Sequence, residues 1–195
     1  MTHKALLITS TLAATLALSG CLIPERFTAK VDVQPDASYS FRYSGTVIHG
    51  LAAMQIKKQG ALSEKELRGL EAETQKLSKS PDVKKAEYKG DARYVLETEG
   101  ARKPGQPLRM FDFFSVSTDK SGVMTIAARE LKDKDKRELE QLGIKVDGSL
   151  EVSIPKNAEV LSQNASSTPT LGFGSYSWKI GRLDQRPEMK IRFKP

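Results

Sequence analysis

The fold prediction starts from residues 27–47, which read Phe27-Thr28-Ala29-Lys30-Val31-Asp32-Val33-Gln34-Pro35-Asp36-Ala37-Ser38-Tyr39-Ser40-Phe41-Arg42-Tyr43-Ser44-Gly45-Thr46-Val47. Apolar and polar residues alternate on both sides of the segment 35–38, as they do in strands that bury one face. Proline, aspartate and serine within 35–38 are typical of a tight turn. Two alternating segments joined by a short turn predict an antiparallel β-hairpin.

Further segments of both kinds follow the hairpin. Alternating segments, separated by turn residues, lie at 85–88, 92–97, 110–114, 123–127, 149–154, 176–180 and 189–194. Helical spacing is found at 51–58, 63–80 and 131–142. This order predicts an α+β fold, in which an antiparallel β-sheet carries about three helices packed mainly on one face, within a single domain at 27–195.

Local signals mark the ends of two of these helices. Ser63 is followed three residues later by Glu66, which is the pattern of a capping box. Gly143 follows the third helix and is expected to end it in a left-handed conformation. The middle helix is expected to face the core with a stripe made of Leu67, Leu70, Thr74 and Leu77.

The composition is that of a globular, mildly basic chain. It has 195 residues and a formal net charge of +7. The charges are interspersed and no nucleic-acid recognition motif is present, so we expect no nucleic-acid partner. Cys21 is the only cysteine, so we expect neither an internal disulfide nor a cysteine-based zinc site.

The first 21 residues have the organisation of a targeting segment. Lys4 precedes an apolar run at 5–18, and the small residues Ser19 and Gly20 come before Cys21. The apolar run is shorter than the roughly 20 residues that a membrane span needs. The sequence Leu18-Ser19-Gly20-Cys21 resembles the lipobox of bacterial lipoproteins, the recognition sequence of the type II signal peptidase.

This resemblance implies a cleaved signal peptide at 1–20 and a lipidated tether at 21–26. Cys21 would carry diacylglycerol and fatty acyl groups such as palmitate, and a membrane is therefore the first expected partner. The residue directly after Cys21 is Leu22. An aspartate at this position would resemble the inner-membrane retention signal of such lipoproteins. We therefore expect the chain at the periplasmic face of the bacterial outer membrane.

The sequence contains no recognisable catalytic set. His49 is the only histidine after residue 20, and motifs that would supply a nucleophile or further metal ligands are absent. We expect His49 to be bonded to backbone at a strand end. The acidic pairs Asp133/Asp135 and Glu138/Glu140 alternate with basic residues, as on a solvated helix face. We expect no catalytic residue, no metal site and no cofactor, although spacing alone leaves a two-carboxylate hydrolase open.

Aromatic residues recur on the predicted strands. If they line one concave face of the sheet, they form an apolar pocket suited to acyl chains, and ordinary core packing is the alternative. The loop at 171–176 either frames a ligand entrance or is a plain hairpin loop. The possible pocket residues are Phe41, Tyr43, Tyr94, Phe111, Phe113, Tyr176 and Trp178.

The last quarter of the chain carries a second resemblance. Residues 154–165, followed by Tyr176-Ser177-Trp178, are similar to the C-terminal pattern of LppM-type bacterial lipoproteins. In that family a Pro-Gly segment, a valine, an Asn-Gly turn and a tryptophan-bearing strand occur in this order. Here Pro-Lys replaces Pro-Gly and Asn-Ala replaces Asn-Gly. The resemblance implies a lipid-anchored α+β domain whose cavity binds lipid or lipid-linked glycan.

Together these features favour a non-enzymatic, lipid-anchored envelope protein that binds a hydrophobic or amphiphilic ligand, such as a lipid or an envelope glycolipid. The alternative is a scaffolding or assembly lipoprotein that docks an envelope protein partner through a sheet edge or a basic C-terminal strand with Lys190, Arg192 and Lys194. An enzyme is the third hypothesis and requires an acidic cluster in a cleft.

Overall fold

The computed structural model describes residues 22–111, 113–170 and 174–194. The strands in these residues are β1 (Leu22–Val33), β2 (Tyr39–His49), β3 (Val83–Gly90), β4 (Arg93–Arg102), β5 (Leu108–Met110), β6 (Phe114–Thr118), β7 (Val123–Ala128), β8 (Asp147–Ser153), β9 (Ala158–Gln163), β10 (Tyr176–Ile180) and β11 (Glu188–Phe193). The helices are α1 (Gly50–Gln59), α2 (Glu64–Ser78) and α3 (Asp133–Gln141).

The strands form two sheets, so the prediction of an α+β fold with helices on one face of a single antiparallel sheet is wrong. The large sheet has the order β10-β8-β1-β2-β4-β3, and the small sheet has the order β5-β6-β7-β11-β9. β1 and β8 run parallel, whereas the other neighbouring pairs are antiparallel. Alternation identifies strands, but it does not show which strands pair across long sequence separations.

The hairpin predicted at 27–47 is confirmed. β1 and β2 pair in antiparallel register, with Phe27 opposite Gly45. β1 begins at Leu22, earlier than the predicted strand, so residues 22–26 of the expected tether belong to the sheet.

The small sheet and α2 both lie against one face of the large sheet. The ring of Phe27 on β1 lies 6.2 Å from that of Phe113, in the turn between β5 and β6. Tyr94 on β4 donates a hydrogen bond of 3.5 Å to Glu73 of α2. The β2 residues opposite Phe27 and Tyr94 are two positions apart, so both side chains point to the same side. The core of the molecule is therefore on this face.

Two strand predictions differ from the structure. The strand predicted at 110–114 is a turn, because β5 ends at Met110 and β6 begins at Phe114, with Phe111 at a φ of 52°. The apolar residues of this turn pack between the sheets, and their hydrophobicity indicates burial rather than extended backbone. β9 has no predicted counterpart, since it is a mostly exposed edge strand without apolar alternation.

The helix signals are largely confirmed. The Ser63 hydroxyl accepts from Glu66 N at 3.4 Å, and the Glu66 carboxylate accepts from Ser63 N at 2.8 Å. Hydrogen bonds from the Ser63 hydroxyl and backbone hold the pKa of Glu66 below its usual value. Gly143 has a φ of 70°, as expected after α3. Leu70 is buried as predicted, whereas Leu67 is 37% exposed and does not belong to the core stripe.

Among the described residues, no helix combines the length and the apolar character that crossing a bilayer requires.

Candidate functional site

Three of the seven predicted pocket residues meet between the two sheets. Tyr43, Phe111 and Phe113 surround a cavity of about 20 Å³ together with Phe27. The rings of Phe27 and Tyr43 are stacked with their centres 5.6 Å apart. A cavity of this size has room for about one water molecule. As the structure stands, it does not accommodate an acyl chain.

The other four predicted pocket residues lie away from that cavity. Phe41 is buried beneath the guanidinium of Arg102, whose Cζ lies 4.9 Å from the centre of the Phe41 ring. Tyr94 lies under α2. Trp178 donates from Nε1 to Asn164 Oδ1 at 2.8 Å. Tyr176 is half-buried at the start of β10, which is an edge strand.

Two further sequence predictions fall outside the described residues. One is the lipidation of Cys21, together with the signal peptide at 1–20. The other is part of the loop at 171–176, of which residues 171–173 are not described.

A groove of about 1160 Å³ lies between α1 and α2. It forms because α1 ends at Gln59, the next residue, Gly60, turns the chain with a φ of 81°, and the chain returns as α2 after a short connection. Leucine and alanine side chains make up much of its walls, notably Leu51, Ala52, Leu62, Leu70, Ala72 and Leu77.

The groove is open to solvent and unfilled along α2. Leu51 remains 53% exposed at its edge. Gly69 also lines the groove, and a Cβ placed on this residue would meet no atom within 4 Å. An apolar concavity left accessible to water is typical of a binding surface.

A polar cluster occupies the inner end of the groove. His49 Nδ1 accepts from the backbone N–H of Ala52 at 3.1 Å, which confirms the prediction of a backbone-bonded strand-end histidine. His49 Nε2 lies 3.5 Å from Glu73 Oε2, and Tyr94 donates to the same oxygen at 3.5 Å. Because Nδ1 accepts, the proton of a neutral imidazole is on Nε2, facing Glu73. Burial, and then the charge of Glu73, raise the pKa of Tyr94 above its usual range, so the phenol stays protonated.

The rim of the groove is basic at two places. Lys65 and Lys76 both line it, as do two carboxylates that already have partners, Glu66 with Ser63 and Glu73 with His49. Arg68 pairs with Glu64 on the same helix, whereas within the described parts of the chain neither rim lysine lies within ion-pair distance of a carboxylate. The two lysines are therefore available to an anionic group.

The described chain begins beside this groove. Leu22, the first residue of β1, pairs with His49, the last residue of β2. His49 lines the groove. The described chain therefore begins next to a residue of the groove lining.

Two other concavities carry charged side chains, and the second of them is basic, with three arginines and one glutamate in its lining. One of about 420 Å³ lies on the open face of the large sheet, where Arg42 Nε is 2.9 Å from Glu99 Oε1. The other, of about 510 Å³, contains Arg186, which donates to Ala128 O at 2.9 Å and lies 3.7 Å from Glu130. The described part of the chain contains no cluster of His, Cys, Asp or Glu suited to a metal ion.

The C-terminal strand of the scaffolding hypothesis is interior. β11 pairs with β7 on one side and with β9 on the other, so its backbone offers no free edge to a partner. The edge strands are β10 and β3 in the large sheet and β5 and β9 in the small one.

The sequence prediction did not include the groove. The sequence signal for the groove is the pair of small residues Gly69 and Ala72 within an amphipathic helix, because they leave space on the helix surface. That signal does not show that a second helix lies alongside.

Comparison with known proteins gives likenesses to solved structures but no family. No family model and no curated protein matches the chain. The chain is similar to the NMR structure of the folded domain of the LppM protein from Mycobacterium tuberculosis, with 15% identity and a TM-score of 0.42. The alignment covers 89% of this chain and 92% of that one. At this identity and TM-score, we transfer neither a function nor a residue's role from that protein.

Proposed function

We propose that this chain is a non-enzymatic lipoprotein of the bacterial envelope that binds an amphiphile with an acyl chain and an anionic head group. The observation that carries the proposal is the apolar groove between α1 and α2. Its volume of about 1160 Å³ is slightly above the range of roughly 300–1,000 Å³ that is typical of ligand pockets, and suits an elongated ligand.

The groove offers a different surface to each of the two parts of such a ligand. Leucine and alanine walls take up the acyl chain, and each buried methylene contributes about 0.8 kcal/mol. Lys65 and Lys76 at the rim attract the head group. Because exposed ion pairs contribute little to affinity, the lysines mainly select the charge and orientation of the ligand.

The polar cluster supports binding rather than catalysis. Both ring nitrogens of His49 are engaged, one by the N–H of Ala52 and the other facing Glu73. A general base needs a free nitrogen within reach of a substrate proton. The cluster instead holds the start of α1, β4 and α2 together at the inner end of the groove.

Anchoring and location complete the proposal. The lipobox pattern supports a lipid on Cys21, and Leu22 in the following position supports the periplasmic face of the outer membrane.

Replacing Cys21 by alanine is expected to leave the domain folded but prevent lipidation and the cut before residue 21. The described core residues all lie between Leu22 and Ile191, so the substitution changes none of them. Intact mass and membrane fractionation check this. Ser19→Ala keeps a small residue before the cut and should be processed normally. If Cys21→Ala fractionates with the outer membrane as the unchanged chain does, the lipoprotein assignment fails.

Filling the groove is expected to weaken ligand binding. Gly69→Phe places a ring where no atom now lies within 4 Å of a Cβ. We expect it to weaken binding of dansyl-labelled undecanoic acid by at least about tenfold, since excluding two methylenes accounts for that factor. The measurement is a fluorescence titration of the chain from residue 22, which keeps every described core residue.

Gln75→Phe is the matched control, because Gln75 is an exposed residue of α2 outside the groove lining. It should bind the probe as the unchanged chain does. Equal binding by the unchanged chain and Gly69→Phe, or no binding by the unchanged chain, contradicts the proposed function.

A further inference from the structure

The first residues of β1 are fixed against the sheet rather than forming a tether. Leu22 is buried and pairs with His49. Arg93 donates two hydrogen bonds to the Glu25 carboxylate, at 2.8 and 2.9 Å. Glu25 lies where the register between β1 and β2 shifts, so this ion pair secures an irregular part of the strand. β1 is therefore held in the sheet from its first residue, Leu22.

The covalent bond between Cys21 and Leu22 puts the proposed lipid close to the groove. Consecutive Cα atoms are about 3.8 Å apart, so residue 21 lies within one residue of the Leu22–His49 pair. His49 belongs to the inner end of the groove, and its apolar walls begin at Leu51 and Ala52. Acyl groups attached at residue 21 start beside an unfilled apolar surface of the same molecule.

We infer that the acyl groups on Cys21 enter the α1–α2 groove of their own chain and compete there with the amphiphilic ligand. The inference rests on the proposed lipidation and concerns the same groove as the proposed function. It names the anchor as the competitor that regulates the site.

Covalent attachment makes the anchor an effective competitor. A short connection presents the acyl groups to the groove at an effective concentration on the order of millimolar, whatever the concentration of free ligand. Away from a bilayer, the groove shields from water part of the apolar surface that two or three acyl chains would expose. In a bilayer the chains insert into lipid instead, and the groove is free.

Anchoring and ligand binding are therefore coupled in both directions. When the ligand occupies the groove, the anchor is displaced into the bilayer. When the anchor occupies the groove, the protein releases the ligand and leaves the membrane. The two effects have the same size because linkage between two binding events is reciprocal. The rigid start of β1 also keeps the groove close to the bilayer surface when the anchor is inserted.

Photo-crosslinking of the lipidated chain tests the inference. Cells are supplied with a diazirine-bearing fatty acid, and the processed protein is purified. It is placed either in vesicles of phosphatidylethanolamine and phosphatidylglycerol or in lipid-free buffer. After illumination, the crosslinked peptides are mapped by mass spectrometry. We expect intramolecular label on α1 and α2 in lipid-free buffer. In Gly69→Phe this label should fall by at least about tenfold, the factor that displacing two methylenes produces. Gln75→Phe should leave it unchanged.

Three results overturn the inference: a mass without acyl groups on Cys21, label absent from α1 and α2 in lipid-free buffer, or equal label in Gly69→Phe and the unchanged chain. Its failure is distinct from failure of the proposed function, which is measured on the unlipidated chain with added probe. Probe binding without label on α1 and α2 removes the anchor as competitor but keeps the ligand site. Label without probe binding keeps the groove as an anchor site and removes the free ligand.

Discussion

Gly45→Ala is expected to destabilise the fold by about 3 kcal/mol, the upper range for an overpacked interior. Gly45 lies opposite Phe27, and a Cβ on Gly45 would be 2.6 Å from the Cβ of Phe27 and closer still to the carbonyl oxygen of Arg26. A backbone atom of the neighbouring strand cannot move aside as a flexible side-chain end does. The substitution therefore forces β1 and β2 apart at the centre of the large sheet.

The measurement is equilibrium unfolding in urea of the chain from residue 22. Gly69→Ala is the matched control, because the same methyl group is added where no atom lies within 4 Å. Since alanine is favoured over glycine in a helix interior, this control should gain about 1 kcal/mol of unfolding free energy. Equal unfolding free energies for Gly45→Ala and the unchanged chain would show that the two strands are farther apart than the structure has them.

Phe27→Ala is expected to lower the unfolding free energy by about 4 kcal/mol, the typical cost of removing a buried phenylalanine ring. Phe27 is only 8% exposed. Its ring stacks on Tyr43 at 5.6 Å and meets Phe113 edge-on at 6.2 Å. It also covers Gly148, where an added Cβ would clash with the Phe27 ring. Loss of this ring opens the contact between the two sheets.

The same urea titration measures this effect. Leu161→Ala provides the comparison, because Leu161 is 42% exposed on the edge strand β9, and its loss should change stability by no more than about 0.5 kcal/mol. If both substitutions have similar small effects, Phe27 does not join the sheets. A fall in the slope of the urea titration for Phe27→Ala alone would indicate that the small sheet separates before the rest unfolds.

Sequence reasoning was accurate where the signal is local. The hairpin at 27–47 follows from alternation around a turn, and the capping box follows from Ser63 and Glu66 being three residues apart. These patterns depend on neighbours along the chain. The periodicity of side chains then determines which face is apolar.

Sequence reasoning was inaccurate where segments far apart in the chain pack together. β8 lies parallel to β1, and β11 lies between β7 and β9. No residue pattern along these strands predicts which strands they pair with. At 110–114 the apolar residues belong to a turn that packs between sheets. Of the seven aromatic residues predicted as a possible pocket, Tyr43, Phe111 and Phe113 surround a cavity of about 20 Å³, and the other four lie elsewhere.

By itself, the sequence determined the hairpin, the helix ends, the absence of a second cysteine and the lipobox pattern at residues 18–21, because each depends on residues close together in the chain. Only the tertiary structure decided that there are two sheets, that the aromatic residues leave a cavity of about 20 Å³ between them, and that α1 and α2 enclose a groove of about 1160 Å³ beside the Leu22–His49 pair. These features depend on contacts between residues far apart in sequence, and their geometry is set by how whole strands and helices pack.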